Sequence, residues 1–522
     1  MHRNRFGTVG AWLLLGLLLF AVSQPACADE ARITVKKFRV AGNTILTADE
    51  VRAALEPYAG KSLTLKEIKA AARKLRAAYR SRGYVMAHAY IPPQEFQQDT
   101  VEIRVQEGRY GKVKAEGNRH YSDAFLRRFF APARRTGILY QPTLQRALLV
   151  MNQNLDLRVQ SVLEARKDGA IDVTLKVKDS TPIHAIADYD NFGVRLVGTN
   201  RAGAGVIAGN AIWQGDVLAL KVTRPFNVDK SDNFYFANYS VPVGDRGNRL
   251  EASYAKAKTF VGAELAALGI EGAANIYTFR GTVVDQITLD ANTSWYAEVA
   301  LKDIKNTALN GGLEVSNDQV RTMAFGHRGT TYSDKGRTQI AHVVQGIVGL
   351  GKALGGSELG DPTSRQGSSN DFSRGTAEIV AIHRVSSKGF VLGRFVGQLA
   401  TDGLMVPEQF ALGGPDSVRG FQQGEFLGDD GYAASAEYRH TVYQSRLSSV
   451  QVLAFVDHGA AHLRKPFGTE AADKDLTGAG LGMRGQFGRT VSVRADLGQA
   501  LEPGRNLDGD KTKLAVQVAT RF

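Results

Sequence analysis

Hydrophobic residues recur with two different spacings along the chain, and the change of spacing divides it into two regions. Residues 33–177 combine apolar stripes at helical spacing with short alternating segments. From Pro182 to Phe522 the helical stripes disappear, glycine becomes frequent and alternation with a period of two takes over. The pattern therefore predicts an α+β region followed by a larger, strand-rich region.

The first region opens with a strand, two helices and two further strands. The strands are predicted over residues 33–40, 84–91 and 100–105, where apolar and polar residues alternate. Thr47 and Thr64 each precede a glutamate by three residues, a spacing that predicts a capping box at the start of each helix. The second helix is predicted to bury a face made of Ile68, Leu75 and Tyr79.

The same order of elements is repeated about 75 residues further along the chain. A strand over 112–115 leads to a short helix capped by Ser122, and the closing hairpin turns at Asp168 and Gly169. The second helix of this copy carries apolar residues at helical spacing, namely Leu144, Leu148, Met151 and Leu155. Two tandem copies indicate a repeated module more specifically than one small α+β domain would.

The connections between the later strands alternate in length. Short ones are predicted at 244–248, 387–389 and 444–446, and long polar ones at 354–370 and 462–477. This asymmetry is typical of a transmembrane β-barrel, whose closed sheet satisfies every backbone group within the bilayer. The final strand agrees, because its apolar residues share one face: Leu514, Val516, Val518 and Phe522. A soluble β-sandwich is the alternative that alternation alone leaves open.

The amino-terminal sequence is typical of a secretory signal peptide. Two arginines precede an apolar run over 11–22, which is too short for a transmembrane anchor of about twenty residues. An Ala-Cys-Ala cleavage pattern predicts removal of residues 1–28, and with them Cys27, the one cysteine of the sequence. A lipoprotein signal at Cys27 is a second interpretation.

Composition and motifs argue against several classes of function. The net charge of +13 fits anionic lipid headgroups or a secreted polypeptide, and a signal peptide argues against nucleic acid as a partner. The sequence 346–353 nearly matches a phosphate-binding loop but ends in Ala353, which lacks the hydroxyl group, so we interpret it as a barrel strand. His440, His458 and His462 do not have zinc-site spacing. No catalytic site, metal or cofactor is therefore predicted.

Several motifs in the strand-rich region point to one family. They are Asp190-Asn191-Phe192-Gly193, Gly198-Thr199-Asn200-Arg201, Gly215-Asp216 and Val418-Arg419-Gly420-Phe421. With the two repeats, they make the chain resemble the outer-membrane transporters of two-partner secretion, the TpsB family of haemolysin and haemagglutinin secretion-activation proteins. The resemblance implies two α+β polypeptide-transport-associated (POTRA) domains over 29–108 and 109–181. It also implies a transmembrane antiparallel β-barrel of about sixteen strands over 182–522.

The same resemblance implies a site inside the barrel. In this family the Val-Arg-Gly-Phe motif, here Val418 to Phe421, lies at the tip of a loop that folds back into the barrel. Its arginine, Arg419, would meet the aspartate of a wall motif that reads here Phe455-Val456-Asp457-His458-Gly459. Alternation along that strand places Phe455 and Asp457 on the inner face. A solvent-exposed arginine in an ordinary loop is the alternative.

The function implied is secretion of one large client exoprotein of the TpsA type from the periplasm to the cell surface. The expected location is the outer membrane with the POTRA domains in the periplasm, and the expected partners are the client, membrane lipids and the barrel-assembly machinery. Phe522 would be the signal for assembly. A barrel-assembly insertase, a diffusive porin and an adhesin or enzyme-bearing barrel are the alternatives, and the sequence does not name the client.

One departure from the family pattern concerns the barrel plug. Many members carry an amino-terminal helix inside the barrel, but only residues 29–32 precede the first predicted strand here. Four extended residues reach about 14 Å at most, which is too short for such a helix. The expectation is that the loop with Arg419 obstructs the pore without a plug helix.

Overall fold

The computed structural model describes residues 31–95, 99–132, 137–194, 196–226, 232–501 and 509–522. The predicted signal peptide and Asp29-Glu30 lie outside these residues. The chain divides into two compact units, with the boundary between Glu107 and Gly108. In the described part of the chain, no helix has the length and apolar character needed to cross a membrane.

In its described residues, 31–95 and 99–107, the first unit contains two helices and five strands. They are β1 (Arg32–Val35), β2 (Lys37–Ala41), α1 (Ala48–Leu55), β3 (Lys61–Thr64), α2 (Leu65–Ser81), β4 (His88–Tyr90) and β5 (Thr100–Gln106). The central strand β5 is parallel to β2 and antiparallel to β4, while β1 pairs with β3 in a separate sheet. The prediction of one strand over 33–40 is therefore wrong. Ile33 and Val35 alternate in one phase and Phe38 and Val40 in the other, so the chain must change sheet at Lys36.

The helices of this unit begin and pack as their sequence predicts. Both capping boxes are formed, at Thr47 with Glu50 and at Thr64 with Glu67. The predicted face of α2 is completely buried: Ile68, Leu75 and Tyr79. The Tyr79 hydroxyl donates to Glu107 Oε1 over 2.9 Å, and burial together with this hydrogen bond raises the pKa of Tyr79.

The second unit begins with a second copy of the α+β module. Its elements are β6 (Arg109–Glu116), α3 (Asp123–Arg128), α4 (Gln141–Asn152), β7 (Leu157–Ala165) and β8 (Ala170–Asp179), with β8 between β6 and β7. The two copies share a turn glycine with positive φ, Gly42 at +82° and Gly117 at +93°. A Cβ at these positions would lie 2.3 Å from Val105 O and 2.5 Å from Val177 O, so the repeated turn requires glycine.

The predicted apolar face of α4 needs one correction. Leu144 and Met151 are buried, but Leu155 lies beyond the end of the helix and is 44% exposed. The helix ends at Asn152, whose side chain donates to Val159 O (3.0 Å) and accepts from Val159 N (2.7 Å). The buried face is completed instead by Ala147 and Val150.

The remaining strands form a closed antiparallel barrel of sixteen strands in the described part of the chain. They are β9 (Ile183–Asp190), β10 (Asn200–Gly209), β11 (Val217–Phe226), β12 (Phe234–Val243), β13 (Asn248–Phe260), β14 (Glu271–Ile287), β15 (Ala291–Ala308), β16 (Leu313–Ser333), β17 (Thr338–Gly349), β18 (Ser373–Arg384), β19 (Gly389–Ala400), β22 (Asp430–Gln444), β23 (Ser449–His462), β24 (Asp473–Phe487), β25 (Val491–Ala500) and β26 (Thr512–Arg521). Strand β26 pairs with β9 and closes the barrel. The short strands β20 (Phe410–Leu412) and β21 (Phe426–Gly428) form a separate hairpin.

The strand pattern confirms the fold class, with details that differ. Strand β17 covers residues 346–349 of the glycine-rich sequence predicted to be a barrel strand, but it ends at Gly349, and residues 350–353 belong to the loop that follows. The predicted long connection over 462–477 is shorter, because β23 continues to His462 and β24 begins at Asp473. On β26 the side chain of Leu514 is exposed while that of Ala515 is buried, as expected for alternating outer and inner positions.

The second α+β module packs against the end of the barrel that has short turns. Ser122 Oγ donates to Gln214 Oε1 over 2.7 Å, in the turn between β10 and β11. Arg146 Nη2 donates to Arg246 O over 3.3 Å, in the turn between β12 and β13. The long loops therefore lie at the opposite end of the barrel from this module.

Candidate functional site: a loop anchored inside the barrel

The loop over 401–429, which joins β19 to β22, packs against the inner wall of the barrel. It contains the β20–β21 hairpin. Its apolar side chains form one buried cluster with wall residues of β22 to β25: Phe410, Leu412, Val418, Phe421, Ala433, Ala461, Leu476 and Ala500. Burial of this apolar surface holds the loop in the lumen.

The structure brings Arg419 and Asp457 together at the tip of this loop. Arg419 Nε donates to Asp457 Oδ2 over 2.7 Å and Nη2 donates to Oδ1 over 2.8 Å, a bidentate pair. The backbone N–H of Arg419 also donates to Oδ2, over 3.0 Å. Arg419 is 5% exposed and Asp457 is fully buried, so this ion pair is shielded from solvent.

The other residues of the two predicted motifs surround this ion pair. The Arg419 guanidinium lies 3.4 Å from the ring centroid of Phe455, a cation–π contact. Val418 and Phe421 are buried in the apolar cluster. A Cβ at Gly459 would lie 2.8 Å from Leu412 Cδ1, so the glycine leaves room for the β20–β21 hairpin.

The loop backbone approaches the wall closely where the wall has no side chain. A Cβ at Gly478 of β24 would lie 1.9 Å from Arg419 O, and one at Gly498 of β25 would lie 2.5 Å from Gly420 N. These separations are shorter than any van der Waals contact, so only glycine allows the tip to dock here. Glycine repeats at every second residue from Gly478 to Gly482, a signal that the sequence interpretation overlooked.

Two further acidic residues near Arg419 were also missed. Glu437 Oε1 lies 2.7 Å from Nη1 of Arg419, and Asp496 Oδ1 lies 3.7 Å from the same atom. Both carboxylates have additional arginine partners, Arg439 for Glu437 and Arg484 with Arg494 for Asp496. Arg419 is thus the centre of a charge network on four neighbouring strands, β22 to β25.

One branch of the network returns to the loop. Arg494 Nη1 donates to Asp416 Oδ1 over 2.7 Å, and Nη2 donates to Pro415 O over 2.5 Å. Arg394 of β19 also donates to the backbone carbonyl of Asp416. The wall therefore holds the residues before the tip as well as the tip itself.

A second anchor lies near the base of the loop, where the loop residue is the anion Glu408 and not a cation such as Arg419. The carboxylate of Glu408 has no solvent exposure and forms ion pairs with Lys302 of β15 and with Arg374 of β18, the latter over 2.7 Å. Gln398 Nε2 donates to the backbone carbonyl of Glu408 over 2.9 Å. No sequence motif marks Glu408. The loop is tied to β15 and β18 at its base and to β22, β23 and β25 at its tip, and so it reaches across the lumen.

The predicted assembly signal, Phe522, lies apart from this site. It follows β26, its side chain is 70% exposed, and its backbone N–H donates to Ala185 O over 2.9 Å. It thus continues the pairing of β26 with β9. Among the residues that the structure describes, no hydrogen bond or ion pair joins it to the lumen loop.

Comparison with known proteins agrees with the fold. Residues 169–485 match the family model of the haemolysin secretion/activation proteins ShlB/FhaC/HecB, and residues 33–108 match the ShlB-type POTRA domain. The heme/hemopexin transporter protein HuxB of Haemophilus influenzae (strain Rd) is 23% identical over 488 residues, covering 87% of this chain and 82% of HuxB.

Solved structures show the same architecture. The structure of CdiB from Escherichia coli matches with a TM-score of 0.79 and 20% sequence identity, covering 97% of this chain and 93% of CdiB. CdiB from Acinetobacter baumannii matches with a TM-score of 0.69 and 17% identity, covering 95% and 91% of the two chains. The family model covers more than half of the sequence, and the protein belongs to the ShlB/FhaC/HecB family of haemolysin secretion/activation proteins.

Proposed function

We propose that this protein secretes a large partner exoprotein and that the loop over 401–429 obstructs the barrel until transport begins. Proteins of this family are outer-membrane transporters of two-partner secretion, with the barrel in the outer membrane and the POTRA domains in the periplasm. HuxB is named for heme and hemopexin and CdiB simply as an outer membrane transporter, so the client of this chain stays open. We propose no enzymatic activity.

The observation that carries the role of the loop is the anchoring of Arg419. A buried arginine with a bidentate carboxylate, a backbone hydrogen bond and an aromatic face is fixed in one geometry. Such an arrangement supports a loop with one defined resting position inside the barrel. Transport of a polypeptide through the lumen would require the loop to shift or to leave.

Client capture is proposed to use the free edge of β7 in the second POTRA domain. Strand β7 is an edge strand, and the Asn152 side chain occupies both backbone groups of Val159 on its outer side. Along an edge strand, the backbone N–H and C=O groups of every second residue point away from the paired strand. Because those of Val159 point away from β8, those of Ser161 and Leu163 do so too. Among the described residues, no hydrogen bond is made to those outward groups. An extended client segment would add there as a further strand.

A proline in the edge strand β7 tests this mode of client capture without removing a hydrogen bond between β7 and β8. Ser161→Pro removes an outward N–H, and proline is tolerated at edge positions of this kind. We expect the intact transporter with Ser161→Pro to bind the amino-terminal part of its client at least about tenfold more weakly, whereas Ser161→Ala binds normally. Equal binding by both variants would rule out the β7 edge while leaving the secretion function intact.

The remaining partners are proposed on chemical grounds. The exposed apolar outer face of the barrel, including Leu514 and Phe325, requires a lipid environment. We also propose that Phe522, exposed beside the seam of β26 and β9, is recognised by the barrel-assembly machinery. Loss of membrane insertion in Phe522→Ser, with normal synthesis, is the expected result.

A further inference from the structure

The outer wall of the barrel carries a group of polar side chains beside its apolar band. Along β14 to β17 the outward residues of the band are exposed and apolar, among them Val283, Trp295, Phe325 and Val344. Next to them, toward the short-turn end, the same outward face carries Asp285 of β14, His327 of β16 and His342 of β17. We define these three residues as the outer polar cluster.

The members of the cluster contact one another and the aromatic residues beside them. His327 Nδ1 lies 2.9 Å from His342 Nε2, and His327 Nε2 lies 3.9 Å from Asp285 Oδ2. Thr293 Oγ1 donates to Asp285 Oδ2 over 3.0 Å. The ring of Trp295 lies 4.5 Å from that of His327 and stacks at 5.3 Å on Phe325.

The position of the cluster is that of the periplasmic membrane interface. The turns at 288–290 and 334–337, which join these four strands, lie at the end of the barrel that packs against the second POTRA domain. Tryptophan is enriched at such interfaces. Ionisable residues that face lipid are costly and therefore rare, and by default they mark a functional site. Three of them in contact are not explained by the lipid-facing surface alone.

The hydrogen-bonding pattern indicates which headgroup would fit. The carboxylate of Asp285 only accepts hydrogen bonds, and at 3.9 Å its negative charge favours a proton on the facing Nε2 of His327, although the two atoms are too far apart for a hydrogen bond. Nδ1 of His327 then accepts from Nε2–H of His342, which leaves Nδ1 of His342 as another acceptor. The exposed ends of the cluster are thus acceptors with a negative charge, beside the partly exposed indole of Trp295. Such a site suits a cation that carries N–H donors.

We propose that the outer polar cluster binds the ammonium group of a phosphatidylethanolamine headgroup in the periplasmic leaflet. Asp285, 51% exposed at its side chain, would accept hydrogen bonds from the ammonium group. Trp295, 44% exposed, would supply a cation–π contact. A phosphatidylglycerol headgroup has no cation for the carboxylate, and the choline of phosphatidylcholine has no N–H to donate. The site therefore discriminates among three common headgroups.

Native mass spectrometry of the intact protein, released from nanodiscs made of equal parts of these three lipids, tests the proposal. We expect retained phosphatidylethanolamine to exceed each of the other two lipids about tenfold, the effect of one hydrogen bond to a charged group. Asp285→Asn should abolish that preference, and Trp295→Leu should reduce it about threefold. Heat-modifiable migration in gels would verify that each variant barrel is folded.

Asp290→Asn is the matched control. Asp290 lies in the 288–290 turn, is exposed, and has neither a histidine nor an indole among its side-chain hydrogen-bond or ion-pair partners in the described structure. The substitution Asp290→Asn removes the same charge as Asp285→Asn does, and it should leave the lipid preference unchanged. Equal retention of the three lipids, a preference for phosphatidylglycerol, or an equal loss in Asp285→Asn and Asp290→Asn would overturn the proposal.

Discussion

Ion pairs anchor both the tip and the base of the lumen loop, but the loop residue is a cation at the tip and an anion at the base. At the tip, a cationic loop residue, Arg419, meets carboxylates on the wall, whereas at the base an anionic loop residue, Glu408, meets wall cations. Exchanging the two ends would place like charges together. The loop therefore has one orientation that electrostatics favours, in addition to its apolar packing.

The two anchors also differ in geometry. Arg419 is held by a planar bidentate pair, a backbone hydrogen bond and the ring of Phe455, all of which need a guanidinium in one position. Glu408 binds one lysine and one arginine on strands that are not neighbours, β15 and β18. The difference suggests that the tip specifies the position of the loop and that the base limits how far it can move.

The largest effect is expected from breaking the tip. Arg419→Ala leaves Asp457 and Glu437 buried without their common partner, which costs about 3–5 kcal/mol for a dry pair. The barrel should still insert, because no barrel hydrogen bond between strands is lost, while secretion of the client should fall at least about tenfold. Surface amounts of the client, measured against amounts of folded transporter, provide the readout.

Exchanging the charges of Arg419 and Asp457 tests whether this ion pair acts alone or within the larger charge network. Arg419→Asp combined with Asp457→Arg would restore an isolated pair, but here the new aspartate would face Glu437 and Asp496 as well. We expect the double variant to stay defective. Full recovery of secretion in the double variant would mean that Glu437 on β22 and Asp496 on β25 do not contribute to loop anchoring. The Arg419–Asp457 pair would then act alone.

A smaller effect is expected from the wall opposite the tip. Gly478→Ala places a Cβ 1.9 Å from Arg419 O and pushes the tip away, at a cost of about 1–3 kcal/mol. Gly375→Ala on β18 is the control, since a Cβ there meets nothing within 4 Å. Secretion should fall for the first variant and not for the second. Similar secretion by both would show that close docking of the tip is not required.

The smallest effect is expected at the base. Glu408→Gln keeps the shape and part of the hydrogen bonding to Arg374 and Lys302 but removes the negative charge. Because the side chains of Lys302 and Arg374 keep some solvent access and glutamine still accepts a hydrogen bond, we expect a loss of about 1–2 kcal/mol and a two- to fivefold change in secretion. A protease site placed in the loop should be cut faster in this variant from the cell surface. A defect as large as that of Arg419→Ala would remove the distinction between the anchors.

The sequence predicted those features that depend on alternation or on local spacing. The capping boxes, the buried face of α2 and the inward positions of Phe455 and Asp457 follow from periods along one strand or helix. Glu437 and Asp496 were missed because their approach to Arg419 depends on the register between different strands, which one strand does not encode. Glu408 was missed because it lies in a short 3₁₀ turn, Val406–Glu408, within an irregular loop.

We propose that the loop obstructs the resting barrel and that its tip determines where the obstruction lies. Single-channel conductance in planar bilayers tests this most directly, with residues 413–426 replaced by a short glycine-serine linker. The shortened loop then lacks Arg419 and two of the buried apolar side chains that hold it in the lumen, Val418 and Phe421. We expect a clearly larger conductance than that of the unmodified protein, whereas an unchanged conductance would show that the loop does not obstruct the pore.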